Sequence, residues 1–270
     1  MIAEMLEDRS MLLNLSEPDR TPLRNGPLGL AACEIKFDDA QRRLGSKDIF
    51  RYRDALNRGA AAYGELTQVR RNQMTLQLGM MGGAALTDEA SAVGWRLATR
   101  DQAWAVMLFN DSVSLENRKY EGWTESFRPR LLGALAGAID AFGPEIETRI
   151  GLRYVNQISD DQAVSPAYWA GRLQSAFAGP LMSHLGPGVA QINTRIGLQF
   201  GDAEAVVNFV IQPDVNRPGR SALMFDIDVF RQGAREFVFN EMMEMADLLN
   251  TRALQIFQSI ITPEFREELA

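Results

Sequence analysis

The sequence contains a single cysteine and a single histidine, and each shortage excludes a class of sites. Cys33 has no second cysteine to pair with, so the chain can form no intramolecular disulfide, which fits a reducing compartment. His184 is the only imidazole, which excludes histidine-rich zinc sites and any catalysis that needs two histidines. Cys33 alternates with polar neighbours on a predicted strand, and we expect its thiol to lie in the core.

Long apolar runs and the common catalytic motifs are also missing. No stretch approaches the ~20 apolar residues that cross a membrane. The first 15 residues carry Glu4, Glu7 and Asp8, where an export signal needs a basic start and an apolar run. The sequence has no phosphate-binding glycine loop, nucleophile elbow or H-E-x-x-H motif. We therefore expect a cytoplasmic protein with no membrane partner. Since these catalytic motifs are missing, none of them indicates an enzyme.

The composition is that of an ordinary globular protein with an acidic balance. The 270 residues are 46% apolar and 23% charged, and a chain of this length buries enough surface to fold without staples. The 28 basic and 35 acidic residues give a net charge of −7. Because nucleic-acid binding depends on neutralising phosphates with cations, we do not expect a nucleic-acid partner.

Hydrophobic periodicity predicts the elements of the fold. Alternation of apolar and polar residues predicts strands at residues 32–37, 74–78, 94–97, 104–109, 112–116, 147–158, 190–200, 205–212 and 222–230. Helical spacing and end signals predict helices at residues 46–56, 124–141, 165–179 and 236–259, with a short helical turn after Thr262. Pro129 fits only the first turn of its helix, which places the start of that helix near Ser126.

The order of these elements favours an α+β fold. Strands often follow one another without a crossover helix, which is typical of an antiparallel sheet. We predict an antiparallel-rich sheet with helices packed on one face and a long C-terminal helix. Residues 1–30, punctuated by Pro18, Pro22 and Pro27, are predicted to form an extended N-terminal arm. Residues 31–270 are predicted to form a single α+β domain.

One pentapeptide, Thr-Arg-Ile-Gly-Leu, occurs twice. Residues 148–152 and 194–198 share it, and each copy follows a predicted helix. The repeat indicates either an internal duplication of a helix-plus-strand unit or two strands of one sheet that converged on the same alternation.

Two aspartates provide the most informative polar pattern. Asp226 and Asp228 stand two apart on a predicted strand, so both carboxylates project from the same face. Such a pair suits Mg²⁺ or Mn²⁺, as in phosphoryl-transfer sites. The alternative is that they pair with Arg149, Arg153 or Arg195, which lie on the polar faces of two other predicted strands. The same arginines are candidates for binding an anionic ligand.

The last long helix carries an unusually wide apolar surface. Met242, Met245 and Leu248 are candidate partner-binding residues, because Met245 and Leu248 extend the apolar surface beyond the core stripe. Met242 borders Met245 three residues on and so belongs to either surface. The alternative is that the whole helix is buried, while a methionine-rich surface would adapt to varied partners.

Several stretches together resemble a sporadically distributed family of uncharacterised bacterial proteins of about 260 residues. The matching residues are Gly26-Pro27-Leu28, Gly94-Trp95-Arg96, Trp104-Ala105-Val106, Ser114-Leu115-Glu116, Tyr120 with Trp123, residues 150–156, Asp226-Ile227-Asp228, and the closing Phe257, Ile261, Thr262 and Glu264. The pattern covers residues 26–266. The resemblance implies one family unit along the chain and no settled catalytic role. Residues 1–25 have no counterpart in it.

These observations favour a non-catalytic cytoplasmic protein that acts by binding another protein chain, a peptide or a second copy of itself. An apolar groove that binds unfolded segments would be a variant of this function. No cofactor is expected for it. The alternative is a metal-dependent enzyme on phosphorylated or nucleotide substrates, with Mg²⁺ or Mn²⁺ held by Asp226 and Asp228 and phosphate held by the three arginines.

Overall fold

A nine-stranded antiparallel sheet organises the chain. The structure is a computed structural model that describes residues 13, 15–24, 26–38, 44–58, 62–78 and 84–270. Its strands are β1 (Leu28–Phe37), β2 (Tyr63–Leu78), β3 (Ala84–Thr99), β4 (Trp104–Phe109), β5 (Ser112–Asn117), β6 (Ile146–Ser159), β7 (Ile192–Gln199), β8 (Glu204–Pro213) and β9 (Ser221–Glu236). The order across the sheet is β2-β3-β4-β5-β1-β6-β9-β8-β7, and every neighbouring pair is antiparallel.

The helices fall between and after the strands. They are α1 (Ser46–Leu56), α2 (Arg128–Phe142), α3 (Ser175–Met182), α4 (Phe239–Ile260) and α5 (Pro263–Leu269). A π-helical turn at Trp123–Phe127 leads into α2, and a 3₁₀ segment at Pro166–Arg172 precedes α3. The α+β class and the long C-terminal helix predicted from the sequence are confirmed.

The helices pack on one face of the sheet, as predicted. α4 crosses β6 and β9, where the rings of Phe257 and Phe225 lie 6.0 Å apart. α3 covers β8, where Phe177 and Phe209 lie 5.9 Å apart. Alternate residues of the central strands point to the opposite face, so Arg153 on β6 keeps 53% of its side chain exposed. The sheet therefore has a helix-covered face and an open face.

Two element boundaries differ from the sequence prediction for identifiable reasons. The strands predicted at residues 74–78 and 94–97 are parts of a hairpin whose two strands have 16 residues each, because β2 and β3 pair along their whole length. The helix predicted at 165–179 is a 3₁₀ segment followed by α3, and Pro180 lies inside α3 instead of ending it. The helix continues because the amide of Ser183 still donates to the carbonyl of Gly179 at 3.2 Å.

The N-terminal arm meets the sheet earlier than predicted. β1 begins at Leu28, so the last three residues assigned to the arm belong to the sheet. Residues 15–24 form no helix or strand and run along α4. Residues 1–12 of the predicted arm lie outside the described residues.

Candidate functional site

Charged side chains form a ladder on the open face, across three adjacent strands. We call this set the charged ladder; it comprises Glu34 of β1, Arg149 and Arg153 of β6, and Asp226 and Asp228 of β9. β1 contributes one residue, the two from β6 are four apart and the two from β9 are two apart, so all five project from the same side. The structure thus brings together both predicted aspartates and two of the three predicted arginines.

Arg149 bridges two carboxylates in the ladder. Its Nη2 donates to Asp228 Oδ2 at 2.9 Å and to Oδ1 at 3.1 Å, and its Nη1 donates to Glu34 Oε2 at 3.3 Å. The guanidinium also lies 4.8 Å from the ring centroid of Phe230. With 18% of its side chain exposed, Arg149 is held on all sides by these groups.

Gly151 gives Arg149 the room to lie flat on the sheet. A Cβ added at Gly151 would stand 2.4 Å from Nη1 of Arg149, which is shorter than any ordinary contact. The glycine follows the arginine by two residues, so the long side chain passes over the position where a side chain would otherwise rise. The Arg-x-Gly spacing is therefore what lets Arg149 reach both carboxylates.

Arg153 and Asp226 form a two-point fork. Nε of Arg153 donates to Oδ1 of Asp226 at 2.7 Å, and Nη2 donates to Oδ2 at 2.8 Å. Nδ2 of Asn208 donates to the same Oδ2 at 3.3 Å. These hydrogen bonds to Asp226 raise the pKa of Arg153 above its ordinary value. The fork is geometrically suited to hold both partners in place.

The ladder bears on the predicted metal site. The arginine pairing that the sequence left open as an alternative is present for both Asp226 and Asp228. Within the described residues, no group of three or more histidine, cysteine, aspartate or glutamate side chains is placed to hold a metal. Mg²⁺ or Mn²⁺ binding by Asp226 and Asp228 stays a prediction, and such an ion would have to displace two arginines.

Arg195, the third predicted anion-binding residue, lies apart from the ladder. It is exposed on β7, which is the last strand of the sheet. Among the residues that the structure describes, no carboxylate forms an ion pair with Arg195. An exposed guanidinium without a carboxylate partner keeps its five donors for a ligand.

The outer edge of β7 is free in the described part of the chain, where β8 alone pairs with β7. We call it the β7 edge. A strand at the end of a sheet presents unpaired N–H and C=O groups along one side. Ile196 and Leu198 are half-buried there, and the residues between and around them are exposed. The β7 edge therefore combines free backbone groups with two partly covered apolar side chains.

A small apolar cavity lies behind the β7 edge, on the helix-covered face. Its volume is about 170 Å³, and it is bounded by β7, β8, α3, α4 and two leucines of the arm. The lining side chains are almost all aliphatic or aromatic and include Leu13, Leu15, Phe177, Ile196, Leu198, Ile256 and Ile260. A cavity with this lining favours apolar groups over water.

The arm contributes Leu13 and Leu15 to the lining of this cavity and is held by its backbone. Nε2 of Gln255 donates to the carbonyls of Leu15 and Ser16 at 3.1 and 2.9 Å. Gln258 pairs with the backbone of Asp19 in both directions, accepting from its amide at 3.0 Å and donating to its carbonyl at 2.6 Å. Two glutamines of α4 thus bind an extended chain without using its side chains.

Side-chain contacts add to the attachment of the arm. Arg266 of α5 lies 2.8 Å from Oδ2 of Asp19, and Arg20 donates to Thr251 at 2.8 Å. Oε1 of Gln255 accepts from Arg252 at 3.1 Å, which orients the amide toward the arm. The proline-rich arm therefore lies on α4 of its own chain.

The structure corrects one of the three predicted partner-binding residues. Met242 is fully buried, so it belongs to the core of this chain and cannot contact a partner. Met245 and Leu248 are both half-buried, and Met245 packs against the core. The sequence placed Met242 on either surface because residues three apart are neighbours on a helix. Partner binding by Met245 and Leu248 stays a prediction.

One polar cluster was not identified from the sequence. Asp247 of α4 accepts from Nε1 of Trp123 at 2.7 Å and from Nε and Nη2 of Arg128 at 2.8 and 2.9 Å. The hydrogen bonds to Asp247 raise the pKa of Arg128 above its ordinary value. The cluster joins the start of α2 to α4, so its evident role is structural. Its sequence signal is an aromatic residue five positions before an arginine, which is too common to be read alone.

The comparisons with known proteins add no assignment. No protein-family model matches the chain, and no curated protein matches it. Of the helices in the described part of the chain, none is both long enough and apolar enough to cross a membrane. The resemblance to the bacterial family stays a prediction, and the function has to be argued from the β7 edge, the cavity and the ladder.

Proposed function

We propose that this is a non-catalytic binding protein that holds an extended segment of a partner protein along the β7 edge. The observation that carries the proposal is the free edge of β7 with an apolar cavity of about 170 Å³ directly behind it. Addition of a strand to a sheet edge is a common way to recognise an extended peptide, with backbone hydrogen bonds for affinity and side-chain pockets for selectivity.

The backbone of β7 supports this proposal. Eight consecutive residues of β7 pair with β8, and within the described residues no strand pairs on the other side of β7; exposed sheet edges in monomeric proteins are usually blocked. The side chains of β7 provide little obstruction: the central residues are Thr194, Arg195, Ile196 and Gly197, with no proline or lysine. A partner strand would satisfy the backbone groups that β8 leaves unpaired.

The cavity supports the same partner. Side chains of an added strand alternate between the two faces of the sheet. Those on the helix-covered face would continue the row formed by Ile196 and Leu198 and would enter the apolar lining. Burying one leucine-sized side chain there contributes roughly 1.5–3 kcal/mol. The segment bound at the β7 edge should therefore carry apolar residues at alternate positions.

The alternative, a metal-dependent enzyme, has less support. Its two carboxylates, Asp226 and Asp228, are each bound by an arginine through two hydrogen bonds. Breaking two such ion pairs to admit one ion costs free energy, which the binding of the ion would have to offset. Neither aspartate lines the cavity, so the apolar cavity and the carboxylates do not form one site.

The test is retention of a partner by a variant of the β7 edge. Ile196→Asp places a charge at the mouth of the cavity, and Leu132→Asp makes the same kind of change at a side chain of α2 that is 40% exposed. Native mass spectrometry after gentle purification from the host should show a partner polypeptide with the unchanged protein and with Leu132→Asp, and its loss with Ile196→Asp.

Hydrogen exchange completes the test. In the complex, amides of residues 192–199 should exchange more slowly than in the free protein, because an added strand protects the outward-facing N–H groups. Circular dichroism of Ile196→Asp should match that of the unchanged protein. A partner that stays bound to Ile196→Asp, or a complex in which residues 192–199 exchange at their free rate, would contradict the proposal.

A further inference from the structure

We infer that the segment bound at the β7 edge is an antiparallel strand with an acidic residue opposite Gly197 and apolar residues opposite Ile196 and Leu198. This inference rests on the proposed function and adds the chemistry of the partner. The juxtaposition that carries it is internal: the pentapeptide of β7 also occurs in β6, where both neighbouring strands are present.

The two copies of the pentapeptide have equivalent positions in the sheet. β6 lies between β1 and β9, whereas β7 has β8 on one side and the free edge on the other. Since neighbouring strands alternate in direction, β6 and β7 run in opposite directions, with β9 and β8 between them. Both copies turn their isoleucine and leucine toward the helix-covered face.

These directions decide which neighbour is missing at β7. A two-fold rotation about the sheet normal, between β9 and β8, carries β6 onto the place of β7 and β9 onto the place of β8. The same rotation carries β1 onto the free side of β7. The strand that would complete the β7 edge therefore corresponds to β1, which pairs with β6 in antiparallel orientation.

β1 supplies a specific pattern beside the first copy. Glu34 lies opposite Gly151 and contacts Arg149 at 3.3 Å on the open face. Its neighbours Cys33 and Ile35 lie opposite Leu152 and Ile150 and are at most 1% exposed. The pattern that β1 presents is apolar, acidic, apolar, with the acid reaching the arginine over the glycine.

At the second copy, Glu204 of β8 takes the place of Asp228 but accepts from Gln199 instead of Arg195, and no described strand takes the place of β1. In the first copy, the residue four positions after Arg149 is Arg153, and Asp228 lies opposite it. In the second copy, the residue four positions after Arg195 is Gln199, and Glu204 lies opposite it. On the free side of β7, no described residue takes the part of Glu34. The charge left over at the β7 edge is therefore positive, and an acidic side chain complements it.

The charge pattern of β7 argues against a second copy of the same strand as the occupant. β7 contains Arg195 and no aspartate or glutamate. A symmetric pair of β7 strands would gather two arginines on one face without a carboxylate, and like charges across a strand pair are destabilising. A different segment that carries the acid is the occupant that fits.

The probe for this inference is a fluorescein-labelled synthetic peptide with the sequence of residues 30–37, in which Cys33→Val removes the thiol. A second peptide also carries Glu34→Gln. Fluorescence anisotropy would measure both peptides on the unchanged protein, on Arg195→Gln and on Arg100→Gln, a matched loss of an exposed arginine in a turn far from β7. All three proteins should give the same circular dichroism spectrum.

The unchanged protein and Arg100→Gln should bind the glutamate peptide about two- to fivefold more tightly than the glutamine peptide, as expected for a partly exposed ion pair. Arg195→Gln should bind both peptides equally. Equal binding of both peptides by the unchanged protein would overturn the acidic pattern. If neither peptide binds while Ile196→Asp still releases the host partner, this inference fails and the proposed function stands.

Two other occupants would also overturn the inference. A dimer seen by sedimentation whose formation is weakened by Arg195→Gln would identify a second copy at the β7 edge. If a full-chain variant that combines Glu4→Gln, Glu7→Gln and Asp8→Asn binds the glutamate peptide more tightly, a segment of the same chain competes for the edge, and the acid is supplied from within. Unchanged peptide affinity in this triple variant supports a separate partner.

Discussion

The same five residues, Thr-Arg-Ile-Gly-Leu, have opposite environments in β6 and in β7. In β6, Ile150 and Leu152 are completely buried and Arg149 is bound between two carboxylates. In β7, Ile196 and Leu198 are half-buried and Arg195 is exposed. The difference comes from the neighbours, because in the described part of the chain β6 has a strand on each side and β7 has one. Burial here is a property of position in the sheet, and the local sequence is consistent with either state.

Cys33 lies on β1, the strand that covers one side of β6. The largest difference we expect is between the reactivity of its thiol and that of a thiol placed on β7. Burial raises the pKa of Cys33 to about 12, although the nearby Arg149 lowers it slightly. An exposed thiol introduced on β7 by Thr194→Cys should keep a pKa near 8.5, so at pH 8 its thiolate fraction is roughly a thousandfold larger. Iodoacetamide labelling, followed by peptide mass spectrometry, would compare both thiols within one molecule. Equal labelling rates would show that β1 does not seal this side.

Truncation of the leucine in each copy should separate the two strands in stability. Leu152→Ala removes a fully buried side chain and should destabilise the protein by about 2–5 kcal/mol, because it leaves a cavity in the core. Leu198 lines a cavity that already exists, so Leu198→Ala should lower the free energy of unfolding by about 1 kcal/mol or less. Urea denaturation of both variants measures the two free energies of unfolding. Similar costs would mean that the edge is as well packed as the centre.

Removal of the arginine in each copy tests the ladder. Arg149→Gln leaves Glu34 and Asp228 without their shared cation, and we expect a loss of about 1 kcal/mol, since all three groups keep some contact with water. Arg195→Gln should change the free energy of unfolding by less than about 0.5 kcal/mol. Denaturation should be measured at low and at high salt. High salt should reduce the loss caused by Arg149→Gln and leave the effect of Arg195→Gln unchanged.

The two glycines provide the smallest difference. Gly151→Ala should displace the guanidinium of Arg149 and cost about 1 kcal/mol or less, because the atom that must move is the end of a flexible side chain. Its effect should not add to that of Arg149→Gln, since both lose the same contacts. A Cβ at Gly197 meets nothing within 4 Å, so Gly197→Ala should be neutral. Additive effects of Gly151→Ala and Arg149→Gln on the free energy of unfolding would contradict the claim that Gly151 acts by making room for Arg149.

Alternation along the chain was sufficient to locate most strands. β4 was predicted to the residue, and β6 differs by one residue at each end, because both have regular apolar positions on the helix-covered face. The order of the strands was not predictable, since pairing across more than 100 residues, as between β1 and β6, leaves no local pattern. The long β2–β3 hairpin was underestimated for a related reason: its alternation is interrupted by polar residues, although its backbone pairs throughout.

The candidate site was partly predictable. Because Asp226 and Asp228 are two residues apart on one strand, the sequence places both on the same face. Of the three arginines predicted as their alternative partners, Arg149 and Arg153 form these pairs and Arg195 does not. Which arginine pairs with the aspartates depends on the order of the strands in the sheet. The sequence therefore could not show that Arg149 and Arg153 form these pairs and Arg195 does not. The β7 edge and its cavity depend on the same order and on the path of the arm, so the sequence contained no signal for them.

The attachment of the arm to α4 has a consequence for how its sequence can change over evolution. Gln255 and Gln258 hold the carbonyls of Leu15, Ser16 and Asp19 and the amide of Asp19, groups that every amino acid provides, apart from the amide that proline lacks. The hydrogen bonds from the two glutamines therefore place no demand on the side chains of Leu15, Ser16 and Asp19. The length of the arm cannot change, because Ser16 and Asp19 are matched, three residues for three, to the glutamines. A single-residue insertion or deletion between them would detach one end, so relatives should vary here in composition and remain constant in spacing.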